Sequence, residues 1–178
     1  MITNSSPWDN LKFDTDGVME VTRKFFGTLH NTYKFFAPYA NLDGFTYQEA
    51  DVPMSKRPEI DRWILSELNS LIKNVDMCYA DYEPTKAGRL INDFVNDNLS
   101  NWYVRLCRKR FWGTGYTEDK LAAYQTLYVC LETVAKLMAP IAPFYADKLY
   151  MDLIATTGRD HVASVPVSYT HLTLPTIA

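Results

Sequence analysis

Five stretches of this chain repeat their apolar residues at a stride near 3.6, and proline or glycine stands at almost every break between them. That period fits an α-helix with one buried face, and it leaves little room for strands before residue 162. The first run is Val18, Val21, Phe25, Leu29, Thr32 and Phe36, widened by Phe26 and Tyr33. It predicts a helix over residues 17–39, with Asp14 and Asp16 available to cap its start and Pro38 near its end. A loop carrying Gly44, Pro53 and Pro58 follows over residues 40–58. Pro58 suits a first helical position, and Ile60, Trp63, Ile64, Leu68, Leu71, Ile72 and Val75 then form one face of a helix ending near Tyr82.

Pro84 opens a third helix whose stripe reads Ala87, Leu90, Ile91, Phe94, Val95, Leu99, Trp102 and Leu106, continuing to about Phe111. Gly113 and Gly115 break it. Thr117 is placed to cap a fourth helix, although Lys120 three residues on does not complete a capping box. Its stripe is Leu121, Tyr124, Leu127, Tyr128, Leu131, Val134, Ala135 and Met138. Pro140 and Pro143 interrupt before a fifth, with Phe144, Tyr145, Leu149 and Leu153, closed by Gly158. Four or five amphipathic helices on short connections predict an all-α fold, an antiparallel helix bundle. The expected organisation is a connector over residues 1–16, the helical domain over 17–160 and a disordered tail over 161–178.

Composition narrows the function. Hydrophobic residues make up 47%, enough for one core, and no apolar run reaches the ~18 residues of a membrane span. The seven glycines include no phosphate loop, which excludes a P-loop or Rossmann nucleotide site in this segment. Cys78, Cys107 and Cys130 are odd in number, widely spaced and without a C-x-x-C pair, so they are expected to be packing thiols of a cytoplasmic protein. His30, His161 and His171 form no triad or metal spacing, and no metal site is expected. Asp61, Glu67, Asp76, Asp93 and Asp97 are expected on solvated helix surfaces. No catalytic constellation emerges.

The formal net charge is −3, so any case for nucleic acid rests on local charge. Residues 98–112, NLSNWYVRLCRKRFW, hold Arg105, Arg108, Lys109 and Arg110 without an acid, interleaved with Trp102, Tyr103, Phe111 and Trp112. On a helix, Asn98, Asn101, Arg105, Arg108, Lys109 and Trp112 fall on one side, with Leu99, Trp102 and Leu106 nearer the core. Guanidinium groups reach phosphates, asparagine reads base edges, and an exposed indole stacks on a base. The expectation is that Arg105, Arg108, Lys109 and Arg110 contact phosphates while Trp102, Tyr103, Trp112, Asn98 or Asn101 contact bases. Cations at a helix C-terminus also complement its dipole, which explains the charge but not the accompanying aromatics. Met54-Ser55-Lys56 resembles the centre of an ATP-handling loop but lacks its flanking residues, and it is expected to be only a helix approach.

Several runs, taken together, resemble a known family. SSPWDNLKF (residues 5–13), RKFFGTLHNTYKFFAPYANLDGF (23–45), RPEIDRWILSELNSLI (57–72), NDNLSNWYVRLCRKRFW (96–112) and LETVAKLMAPIAPFYADKLY (131–150) are similar to isoleucyl-tRNA synthetases, class I enzymes. The resemblance covers residues 1 to about 160. It implies a helical anticodon-binding domain whose partner is the anticodon stem-loop of tRNA(Ile). The parent enzyme would be a cytoplasmic isoleucine–tRNA ligase using ATP with Mg. The related valyl and leucyl enzymes share this type of domain and are alternatives, as is a helical scaffold that binds a protein. The family's ATP-site signatures, His-Ile-Gly-His and Lys-Met-Ser-Lys-Ser, do not occur in this sequence. The resemblance therefore assigns ATP to a domain outside this segment, with no cofactor expected here; the lack of a heptad run or unpaired edge makes a monomer the expected state. Residues 167–178 hold no charge, and VSYTHLTLPT within them reads as a translated transposon-end sequencing adapter.

Overall fold

Helix ends in this chain are set by residues that stop or start backbone hydrogen bonding, and the computed structural model describes the result over residues 15–158. Helix α1 spans residues 15–42 as three continuous stretches, Thr15–Val21, a wide-turned Thr22–Phe26 and Gly27–Leu42. Helix α2 is Glu59–Ala80. Helix α3 spans 84–112, again in three stretches: Pro84–Asp93, a π-type Phe94–Val104 and Arg105–Trp112. Helices α4 and α5 are Glu118–Met138 and Pro143–Thr157. Among the described residues there is no strand, and the expected all-α bundle of five helices is what forms. Most of the expected connector, including Asp14, and the whole expected tail with its adapter-like run lie outside the described residues.

The local signals operate much as anticipated. Pro84 is at the start of α3, the Thr117 hydroxyl accepts from the Lys120 amide at 3.2 Å, and Gly158 closes α5 at φ 58. Two prolines differ from expectation. Pro38 lies inside α1 on its exposed side instead of ending it, and Pro58 precedes the first helical residue, its carbonyl accepting from Asp61 and Arg62. The turn between α2 and α3 is closed by Tyr82 at φ 57, with the Glu83 amide reaching back to Cys78 at 2.7 Å.

The helices alternate in direction. Phe26 of α1 meets Tyr145 at the start of α5, whereas Phe36 meets Tyr124 and Tyr128 near the start of α4. At the opposite end of α4, the Tyr79 hydroxyl of α2 donates to the Leu137 carbonyl at 2.8 Å. Helix α4 is the central element: residues 122–128 are consecutively buried, so it packs on all sides. The 43–58 loop is drawn across the same end by Phe45, which stacks on Tyr124, and by buried Arg57. Arg57 donates to the Val52 carbonyl, Thr126 and Gln125 at 2.9, 2.7 and 3.2 Å, so its burial leaves no nitrogen unmatched.

The buried stripe of α3 departs from expectation after Leu99. Val95, Leu99, Tyr103, Cys107 and Phe111 are all buried, at an unbroken spacing of four. Trp102 and Leu106, expected nearer the core, are 60% and 58% exposed. The physical reason is the wide-turned stretch: turns closed by i→i+5 bonds take up more residues than the 3.6 of an α-turn. A spacing of four then stays on one face.

Candidate nucleic-acid interface

The last four turns of α3 divide sharply between two arcs. Asn101, Trp102, Arg105, Leu106, Arg108, Lys109 and Trp112 face solvent, while Tyr103, Val104, Cys107 and Phe111 face the core. Among the described residues, Arg105, Arg108 and Lys109 make no ion pair. Trp112 is 56% exposed and lies ten positions after Trp102, about 15 Å along the axis at 1.5 Å per residue. The outward arc therefore presents three unneutralised cations between two accessible indoles, with no carboxylate in residues 98–112.

Arg110 belongs to the same basic run but not to that arc. Its side chain is 15% exposed and forks onto Asp61, with 2.6 Å to Oδ1 and 2.9 Å to Oδ2. Its Nε donates to Asp119 Oδ2 at 2.9 Å, and its second terminal nitrogen donates to the Asp119 carbonyl at 2.8 Å. The Tyr103 hydroxyl completes the group, donating to Asp61 Oδ1 at 2.8 Å. Burial works against the Arg110 charge, but the hydrogen bonds to Asp61 and Asp119 outweigh it and raise its pKa further. Burial, reinforced by the Asp61 charge, pushes Tyr103 well above the usual phenol range, so its hydroxyl stays a donor. Burial likewise raises the Cys107 thiol.

This geometry corrects three expectations. Tyr103 is fully buried and offers no ring face to a base. The Arg110 guanidinium is held by carboxylates, leaving none of its nitrogens for a phosphate. Asp61, expected on a solvated surface, has no exposed area and is the centre of the network. Asn98 is half-buried, its amide donating to Glu67 at 3.3 Å, while Asn101 is exposed. Neither Asp61 nor Asp119 carries a local signal for its role, since Asp61 lies 49 positions from Arg110.

The other flagged residues lie apart from this surface chemistry. Met54–Lys56 forms a single short turn, with Lys56 on a surface pair with Glu118 at 2.9 Å. His30 is exposed on α1, and His161 and His171 lie outside the described residues. Close beside the interface, buried Lys120 pairs with Asp43 and donates to the Gly113 carbonyl at 3.0 Å, tying the end of α3 to α4 and the loop. Among the described residues no helix is long and apolar enough to cross a membrane.

Known proteins resemble this chain over nearly its whole length. The chain is 80% identical over 165 residues to the isoleucine–tRNA ligase of Bacteroides fragilis, a match covering 93% of this chain and 14% of that protein. It is 72% identical to the isoleucine–tRNA ligase of Porphyromonas gingivalis over 93% of the chain and 15% of the relative. The ligase of Dehalococcoides mccartyi strain CBDB1 is 48% identical over 92% of the chain and 16% of its own length. The chain thus spans about a seventh of the length of the first two relatives. Over residues 61–176, which include all but the first two residues of α2, the helices α3 to α5 and the whole basic arc, it matches the family described as the anticodon-binding domain of tRNA ligase, and it belongs to that family.

Proposed function

We propose that this chain is the anticodon-docking part of an isoleucine–tRNA ligase, whose whole polypeptide joins isoleucine to tRNA(Ile) at the expense of ATP. The observation that carries the docking surface is the outward arc of α3, where Arg105, Arg108 and Lys109 stand exposed and unpaired between Trp102 and Trp112. The identity of 80% with a named isoleucine–tRNA ligase supports the choice of amino acid. On this reading the three cations neutralise phosphates of the anticodon stem-loop, and the indoles stack on unpaired bases. Its exposure supports Asn101 as a reader of a base edge, whereas Tyr103 and Arg110 have no part in contact. ATP and Mg are assigned to the parent's catalytic domain, in the cytoplasm where tRNA is charged. Because one methylene discriminates weakly between isoleucine and valine, editing too belongs to the larger polypeptide.

A filter-binding titration of the 178-residue chain tests the proposal, using tRNA(Ile), an anticodon-swapped version, tRNA(Val), tRNA(Leu) and a control hairpin at several salt concentrations. The expected result is a preference for tRNA(Ile) with an affinity that falls steeply with salt. Arg105→Ala with Arg108→Ala should weaken binding and flatten the salt slope by about one unit per lost phosphate contact. A preference for tRNA(Val) or tRNA(Leu) would reassign the chain to a sibling ligase. Equal or absent binding by the folded chain would remove the docking role from the arc.

A further inference from the structure

The outward arc is only as well placed as the helix end that bears it, and that end is held by a buried fork. We propose that Asp61 is a positioning residue for nucleic-acid binding: through Arg110 it sets the direction in which the last turns of α3 present their cations. This rests on the reading of the arc as a tRNA-docking surface.

Three observations carry it. First, Arg110 donates from all three of its nitrogens, to Asp61, to the Asp119 carboxylate and to the Asp119 carbonyl. One side chain thereby joins the first turn of α2, the last turn of α3 and the first turn of α4. Both carboxylates sit at helix N-termini and the cation at a C-terminus, so each charge also complements the dipole of its own helix. Second, three of the four residues within two positions of Arg110 are on the exposed arc: Arg108, Lys109 and Trp112. A rotation of this turn would move all three together, and the fork shares its restraint of that turn with buried Phe111 and with Lys120 on the Gly113 carbonyl. Third, a buried ion pair is a poor way to gain stability, since apolar side chains of similar volume often serve as well or better. A bidentate fork supplies orientation, because two parallel hydrogen bonds fix the angle of the guanidinium plane.

The test compares the wild-type chain with Asp61→Asn, with the double variant Asp61→Asn plus Arg110→Gln, and with Arg105→Ala as a contact control. Each is titrated with tRNA(Ile) at several salt concentrations and melted by circular dichroism. Asparagine keeps the volume and an acceptor for Tyr103 but removes the charge. Asp61→Asn is expected to bind about tenfold more weakly while its salt slope stays that of the wild type, an indirect effect of the size coupled neighbours show. Arg105→Ala should instead flatten the slope. The double variant, which leaves no buried charge unpaired, should recover melting temperature but not affinity. Recovery of both would make the pair merely structural and overturn the proposal, as would wild-type affinity in folded Asp61→Asn. A slope flattened by about one unit in the double variant would also overturn it, by making Arg110 a phosphate contact. If Asp61→Asn does not fold, the double variant decides. If the wild type itself binds no tRNA, the docking reading fails first, and the Arg105→Ala control is equally silent.

Discussion

The two arcs at the end of α3 hold the same kinds of residue and put them to opposite uses. Outside, Arg105, Arg108 and Lys109 stand in water with Trp102 and Trp112 beside them. Inside, Arg110 and Tyr103 close on a carboxylate with no exposed area. A guanidinium in water costs the fold little and remains available to a phosphate, whereas one taken out of water must be matched nitrogen by nitrogen. The comparison teaches that a basic run is not one functional unit. A rotation of one residue along the helix separates an exposed, unpaired cation from one buried on a carboxylate.

The largest effect should come from breaking the inner arc. Asp61→Ala leaves the Arg110 charge largely buried without its main partner, and urea denaturation should show a loss of about 3–5 kcal/mol. Next, the division between arcs is sharpened by a pair of leucines seven positions apart. Leu99→Ala empties a fully buried site and should cost about 2–5 kcal/mol, while Leu106→Ala, at an exposed site, should change stability by no more than about 0.5 kcal/mol. Equal effects from the two would restore the simple 3.6-residue stripe.

A pH series extends the contrast to the aromatic interior. Burial raises the phenols of Tyr33, Tyr103 and Tyr124, and burial with the Asp152 charge lifts Tyr145 to about 12. A phenol whose pKa is higher when folded holds its proton more tightly in the native chain. Its contribution is complete below the ordinary phenol value of about 10 and is lost as pH rises through the folded values. Denaturation midpoints should therefore fall progressively above about pH 10, and Tyr103→Phe should blunt that fall. The smallest shift in stability belongs to the outer arc. Arg105→Ala with Arg108→Ala should leave the denaturation midpoint within about 0.5 kcal/mol of wild type, while the proposed docking role expects weaker RNA binding.

Much of the fold was legible because its signals are short-range. Pro84, Thr117, Gly113 and Gly158 act on hydrogen bonds within one turn, and the stripes of α2, the first part of α3 and α1 from Leu29 onward needed only their own period. Val18 and Phe144, expected in the stripes of α1 and α5, are instead exposed. Past Leu99 the period misled. Trp102 and Leu106 are the apolar residues at the ordinary stride, but the wide turns bring Tyr103 and Cys107 inward instead. The centrality of α4 was also hidden. A stripe can be read from sequence, but a helix packed on every side by other helices is known only when those helices are in place.

For the candidate interface, the composition of residues 98–112 was enough to single out the segment and to place Arg105, Arg108, Lys109, Asn101 and Trp112 on one face, because helical angles follow from sequence spacing alone. It could not separate Arg110 from its neighbours. That separation depends on Asp61 and Asp119, one of them 49 positions away, and on the loss of water around the pair. The sequence by itself determined the five helices, the boundaries at Pro84, Thr117, Gly113 and Gly158, and the segment where positive charge meets aromatic rings, all properties of residues within a few positions of one another. Only the tertiary structure decided which cation is spent inside and which are left for a partner, because desolvation and ion pairing arise between helices once they pack.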